Sequence, residues 1–329
     1  MKRLAIIGGG SWGTALALAL SPRFDDVRLW VHDAALAASL QTSRVNSTYL
    51  PGFALPAQVR VSNHLGVVLD QADVVVLATP SHRMREVLAQ TVPHLIPAAV
   101  LVSATKGIET GSLLRMSQVL AEVAGPRPLA VLSGPSFARE VAAGKPVALV
   151  VASPERSVAV AVQLAFSTQA LRLYVSTDIV GVELGGALKN VIAIGAGVCT
   201  GLDLGHNALA ALMTRGLAET TRLAVALGGS QQTLSGLAGV GDLILTCTGA
   251  LSRNRQVGIG LSSGASIQEI TASMKMVAEG VRTTFAAMDL ARQHSVEMPI
   301  MEQMEALLQG QRTPVEAIRL LMERSLKDE

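Results

Sequence analysis

Apolar residues fall along this chain in two regimes. In the first half, short uninterrupted apolar runs sit at Leu4–Ile7, Val27–Val31, Val59–Ser62, Val74–Ala78, Val100–Ala104, Leu129–Leu132, Val147–Val151 and Leu171–Val175. Their length and lack of alternation read as strands covered on both faces, which is the situation of a parallel sheet. Amphipathic or Ala/Leu-rich stretches such as Met84–Val92 and Leu113–Val123 lie between them and read as helices. Right-handed β-α-β repetition of this kind winds into a sheet with helices on both sides. Beyond about Asp178 no clear strand run appears. Helical periodicity takes over, in Ile179–Thr200, Ala208–Leu227, Glu279–Gln293, Met301–Leu308 and Pro314–Leu326. Ser266 and Thr313-Pro314 have the chemistry of helix starts, and Gly228-Gly229 and Gly310 that of helix stops.

The first strand-to-helix junction carries chemistry. Gly8, Gly10 and Gly13 spell G-x-G-x-x-G between Leu4–Ile7 and the helical run Thr14–Leu20. Gly8 permits a tight turn, Gly10 lets the backbone approach a pyrophosphate, and Gly13 lets the helix pack closely on the strand. Free N–H groups and the positive end of the helix dipole would face the anion. Asp33 lies twenty residues past Gly13, at the end of the second strand run, where an acid reads a ribose. The expected fold is α/β: a doubly wound, Rossmann-like sheet domain over residues 1–178, then an all-helical domain over 179–329. The site belongs in the cleft between them, beside the carboxyl ends of the strands.

Composition narrows the function classes. Half the residues are apolar and 16% are charged, which argues for packed cores rather than disorder. A net charge of +2 is too small to suggest nucleic acid or a membrane surface as partner, so an anionic ligand must be caught by a few local basic residues. Cys199 and Cys247 form no C-x-x-C, and the six histidines offer no ligand-spaced pair. No metal is expected, and the thiols suit a reducing cytoplasm. Lys2-Arg3 and the apolar run after them mimic a secretory leader, but glycines interrupt that run and cleavage would remove the nucleotide loop. Ile179–Leu202 carries Glu183 and Lys189 among glycines, so it reads as a buried helix and not a membrane span. The long helical half is compatible with a homodimer.

Lys189-Asn190 is the second strong feature. Gly185, Gly186, Ala193 and Ala196 share its helical neighbourhood, so a charge stands on a face of minimal side chains. Those small residues either admit a neighbouring element or leave room for a ligand. A buried lysine needs a partner or a lowered pKa, and one poised near neutrality can move the proton of a carbinol. The alternative is a lysine that reaches solvent or pairs with Glu183. Asp242, after Gly239-Val240-Gly241, either caps a helix or orients a nearby lysine. Ser252-Arg253-Asn254-Arg255 has the pattern of a helix N-terminus that cradles phosphate, or of a solvated charge cluster. Lys106-Gly107 and Ser133-Gly134-Pro135-Ser136-Phe137-Ala138 each follow a strand and should project into the cleft. Glu279 is either a ligand contact or a first-turn helix acid. Arg28 and His32 could accept a 2′-phosphate, whereas Asp33 favours a free ribose hydroxyl; NAD and NADP both stay open. Cys247 and His82 read as packing or surface residues, and Arg215, in an apolar helix, as a partner in an internal ion pair.

Together these blocks resemble the bacterial-type NAD(P)-dependent glycerol-3-phosphate dehydrogenases, over essentially the whole chain. The blocks are Gly8–Gly13, Pro80-Ser81-His82, Ala104–Gly107, Ser133–Ala138, Gly185–Ala193, Gly239–Leu243 and Ser252–Arg255. The resemblance implies hydride transfer between NAD(P)H and dihydroxyacetone phosphate, giving sn-glycerol 3-phosphate for phospholipid synthesis. It implies Lys189 as proton donor and acceptor, with Asp242 and Asn190 positioning it. Lys106, Gly134, Ser136, Ser252, Arg253 and Asn254 would bind this small phosphorylated substrate. Gly8, Gly10, Ser11, Trp12, Gly13, His32, Lys106, Ala138, Arg253, Val277 and Glu279 would contact the cofactor. Ser136 stands where the family often has threonine, Trp12 is one of several aromatics the family carries there, and His206 stands where a small residue is frequent.

Overall fold

A computed structural model describes residues 1–274 and 278–325. All eight apolar runs become strands: β1 Arg3–Ile7, β2 Asp26–Trp30, β3 Val59–Ser62, β4 Val74–Leu77, β5 Val100–Ser103, β6 Leu129–Ser133, β7 Val147–Ala152 and β8 Leu171–Ser176. They form one sheet in the order β3-β2-β1-β4-β5-β6-β7-β8. The order reverses between β1 and β4, which opens a crevice at the carboxyl ends of those strands. One pairing differs from the all-parallel expectation: β7 runs antiparallel to β6, with Leu132 opposite Val151. The segment between them turns back through the short helix Ala138–Ala142 instead of crossing over a face, so the chain re-enters the sheet reversed. β8 follows β7 in parallel.

Helices cover both faces. Leu4, Ile6, Leu29, Val76 and Phe166 build the core on one side; Ala5, Ile7, Val75, Leu101 and Leu120 build it on the other. Consecutive strand residues point to opposite faces and find apolar cover on each, which is why these runs do not alternate.

After Ser176 the described chain is helical, as expected. Glu279–Gln293 and Pro314–Met322 begin where the sequence indicates, the second with Thr313 and Glu316 capping each other. Ser266 pairs with Glu269 in the same way. The last helix ends at Met322, short of the expected Leu326: residues 323–325 have left the helix, and Leu326 itself lies outside the described residues. Ile179–Gly201 is the axis of this half, surrounded by Gly205–Ala226, Asp242–Thr248, Arg253–Ser262 and Glu279–Gln293. It is long and apolar enough to cross a membrane by length and composition, but 89% of that stretch is buried inside the fold. Its small residues admit neighbours: a side chain at Gly185 would strike the Ala238 carbonyl, and one at Gly186 the Ser133 hydroxyl. The helix start also seats on the sheet, Ile179 and Val182 packing with Val131 and Ala152. Sheet and helical half thus meet along the Lys189 helix.

Candidate active site

The glycine loop has the shape its sequence indicates. Gly8 adopts φ +127°, and a Cβ there would meet the Ala78 carbonyl of the neighbouring strand end. A Cβ on Gly13 would collide with the Gly8 carbonyl, so only glycine lets the helix Ser11–Leu20 sit this close to β1. Gly10 faces open space and caps that helix with backbone alone, leaving the first-turn N–H groups without a side-chain acceptor among the described residues. These are the features a dinucleotide pyrophosphate needs, and the cradle fits one. Asn46 braces the loop from beneath, its amide donating to Gly9 O (2.9 Å) and Thr14 Oγ1 (2.8 Å). Nothing in the sequence around Asn46 marks this role.

Trp12 and Ala138 come together beside the loop, in a small cluster with Leu50 and Phe53. At the end of β2, His32 is exposed with its ring tilted against Trp30, 5.6 Å between centroids. Asp33 is exposed and caps the helix Ala34–Ser43, accepting from Leu36 N. Arg28 is not available as the phosphate ligand entertained from sequence. It lies buried inside β2, where its guanidinium is occupied by Asp26 and by the Val67 and Asp70 carbonyls. Val277 lies outside the described residues.

The polar centre is built from three elements. Lys189 projects from the axial helix, buried, and donates to Asp242 Oδ1 and to Thr246 Oγ1 at 2.8 Å. Asp242, fully buried at the start of Asp242–Thr248, also accepts from Lys106 Nζ through Oδ2 (2.6 Å). Lys106, on the loop after β5, bonds the Gly134 carbonyl at 2.9 Å. Ser136 Oγ donates to that same carbonyl (3.0 Å). One carboxylate thus sits between two amines drawn from opposite sides of the cleft. Burial lowers the Lys189 pKa to about 7; Asp242 opposes the fall and Lys106 adds to it. Asp242 accepts from both lysines here, and the cap position of its helix is Gly241.

Glu183 is not the partner of Lys189. It points away, to Arg115 and Ser117. Asn190 is buried and accepts from Asn254 Nδ2 (2.9 Å), while Asn254 Oδ1 accepts from Gly280 N (3.0 Å). Asn254 therefore ties Asn190 to the helix Glu279–Gln293, a use not expected of a phosphate ligand. Ser252 caps Arg253–Ser262 with its side chain, and Arg253 opens that helix half-buried. Burial pulls the Arg253 guanidinium down, and Glu279 opposes this. Glu279 reaches across the cleft to Ser81, accepting from its N–H (3.0 Å) and its hydroxyl (2.5 Å).

Thr246 is the polar neighbour of Lys189 that sequence reasoning missed. Thr246 lies one helical turn beyond Asp242, a spacing that could have flagged it. His82 is half-buried, and Cys247 is buried as expected. His206 stands exposed at the start of its helix. Arg215 is exposed and forms no ion pair among the described residues, so the internal pair expected for it is absent. The apolar helix there is half solvent-facing, which frees its arginine. Among the described residues no three His, Cys, Asp or Glu side chains group as a metal would require.

Comparison with known proteins gives a consistent result. A family model for the NAD-dependent glycerol-3-phosphate dehydrogenase N-terminus matches residues 3–159, and one for the C-terminus of the same family matches 178–319. A glycerol-3-phosphate dehydrogenase [NAD(P)+] of Koribacter versatilis is 52% identical over 98% of both chains. One from Geobacter sulfurreducens is 50% identical over 100% of this chain and 99% of its own. The crystal structure of glycerol-3-phosphate dehydrogenase from Coxiella burnetii superposes with a TM-score of 0.94 at 39% identity, covering 98% of this chain and 99% of that one.

Proposed function

The chain belongs to the NAD-dependent glycerol-3-phosphate dehydrogenase family, and from that premise we propose that it reversibly reduces dihydroxyacetone phosphate to sn-glycerol 3-phosphate, with Lys189 moving the proton. Residues 1–178 are the dinucleotide-binding domain and 179–329 the helical substrate domain. The dinucleotide supplies or takes the hydride at C2 when bound. The chain's own residues do the rest. Lys189 gives a proton to the C2 oxygen in reduction and takes it back in oxidation.

The observation that carries this reading is the Lys106–Asp242–Lys189 cluster. Two amines share one buried carboxylate. When both amines are charged the cluster is positive by one, which favours an anionic substrate over a neutral one. Asp242 and Thr246 fix the Lys189 amine, and Asn190, held by Asn254, steadies the next position of the helix. Lys106, Gly134 and Ser136 form the wall contributed by the sheet domain, and Ser252, Arg253 and Asn254 the opposite wall near the phosphate. Ser11, Trp12, His32, Ala138, Arg253 and Glu279 lie toward the cofactor. The product is a precursor of glycerophospholipids, and two free thiols, Cys199 and Cys247, support a cytoplasmic setting.

The direct test follows reduced-cofactor absorbance with dihydroxyacetone phosphate, run in parallel with NADH and NADPH. Rapid oxidation is expected, and the ratio of the two rates reads the balance between Asp33 and His32 at the ribose. No oxidation by protein that binds both cofactors would overturn the reading and turn attention to keto acids.

Arg253→Ala tests the phosphate wall. A hydrogen bond to a charged group contributes about 1.5–3 kcal/mol, so KM for dihydroxyacetone phosphate is expected to rise roughly 10- to 100-fold. An unchanged KM removes Arg253 from substrate binding.

A further inference from the structure

We propose that Glu183 is a positioning residue for this reaction: it docks the loop carrying Lys106 onto the helix carrying Lys189, and so sets the distance across the substrate site. The inference rests on the functional reading above.

Glu183 is a buried carboxylate on the axial helix, two helical steps of three residues before Lys189, with Gly186 between them. Three donors converge on it: Arg115 Nη1 at 2.6 Å, Ser117 N at 2.7 Å and Ser117 Oγ at 2.6 Å. All three belong to the start of the helix Met116–Ala124, whose cap is Arg115. Arg115 also pairs with Ile108 in an isolated antiparallel bridge, and Glu109 N donates to Leu114 O (2.9 Å). Residues 105–115 are therefore a closed loop with Lys106 on one limb and Arg115 on the other. Ile108, two residues past Lys106, is buried in the helical core against residues of the axial helix. The Lys106 stem crosses over Gly186, where an added Cβ would lie 3.7 Å from Lys106 Cγ. The sheet domain holds the same loop through the Arg85–Glu109 ion pair.

A carboxylate with three donors is costly to bury and costly to leave unmatched, so the loop has one favoured seat. That seat puts Lys106 within reach of Asp242 while Gly134 O takes its other bond. Glu183 touches neither Lys106 nor Lys189. Its effect travels through the loop backbone.

The experiment is a double-mutant cycle in the full chain. Glu183→Gln keeps the shape and removes the charge. KM for dihydroxyacetone phosphate is expected to rise on the order of tenfold, with kcat falling less. In a Lys106→Met background the same change should alter kcat/KM little further. Arg115→Gln should reproduce the effect from the loop side, and Ser117→Ala, the mildest cut, should shift KM the same way by less. Those two keep the question open to measurement if Glu183→Gln folds poorly. A purely structural carboxylate gives the other pattern: KM unchanged in the folded variants, or a full effect persisting in Lys106→Met. Either result overturns the proposal. Wild-type protein that does not reduce dihydroxyacetone phosphate overturns the functional reading, and this inference with it.

Discussion

Replacing Lys189 by methionine should leave a protein that binds NADH and barely turns over. Methionine matches the volume of the buried stem, so the axial helix has little reason to shift. What disappears is the amine held by Asp242 and Thr246. Proton transfer by a positioned group is worth about 10²–10⁴-fold, and kcat should fall in that range. NADH affinity, measured by fluorescence titration, should stay close to wild type, because the glycine loop does not touch Lys189. A near wild-type kcat would remove Lys189 from the chemistry.

The wild-type pH profile carries the same claim with a definite sign. Lys189 titrates at about 7. Ketone reduction needs the protonated amine, so its rate should hold below pH 7 and decline above it. Alcohol oxidation needs the neutral amine and should rise across the same interval. Opposite slopes in the two directions are expected of the wild type, and both should vanish from the residual activity of Lys189→Met.

The strands were readable because each lies buried on both faces and leaves an uninterrupted apolar run. Glycine in the first loop was readable for a steric reason: a side chain at Gly8 or Gly13 has nowhere to go. The reversal of β7 was not, since an apolar run has no direction and the short helix before it gives no periodic signal. At the site, Lys189 announced itself as a charge within an apolar helix. Its partner did not. Glu183 and Asp242 were both possible from sequence, and which one faces the amine depends on the packing of helices far apart in the chain. Asn254 had the composition of a phosphate ligand, and its amide has a second use that the sequence did not signal, held between Asn190 and Gly280 N. Arg28 was unavailable, being pinned at the wrong depth of β2 by Asp26. Residue type survives translation into structure better than residue partner does, because partners are set by tertiary contacts that local patterning does not encode.

Asp242→Asn should damage stability and chemistry together. The carboxylate is fully buried between two amines, and its loss leaves Lys106 and Lys189 facing each other across a neutral amide. Breaking a buried ion pair from one side costs about 3–5 kcal/mol when the surviving charge stays buried. Lys189 escapes part of that cost by releasing its proton. Asp242 is the influence that raises its pKa, while burial and Lys106 lower it. Removing the first and keeping the other two moves the amine further down, below about 7. At neutral pH the variant then lacks the proton it must donate, and its remaining reductase activity should recover as the medium is made more acidic. Denaturant unfolding should show the loss of stability, larger at pH 6 than at pH 8, because the unfolded lysine is charged at both and the folded one is driven neutral. Wild-type stability with an unmoved profile would show that the two lysines do not depend on this carboxylate. Asp242→Ala distinguishes charge from shape: if charge governs, it should share the acid shift, adding only the cost of the space it leaves.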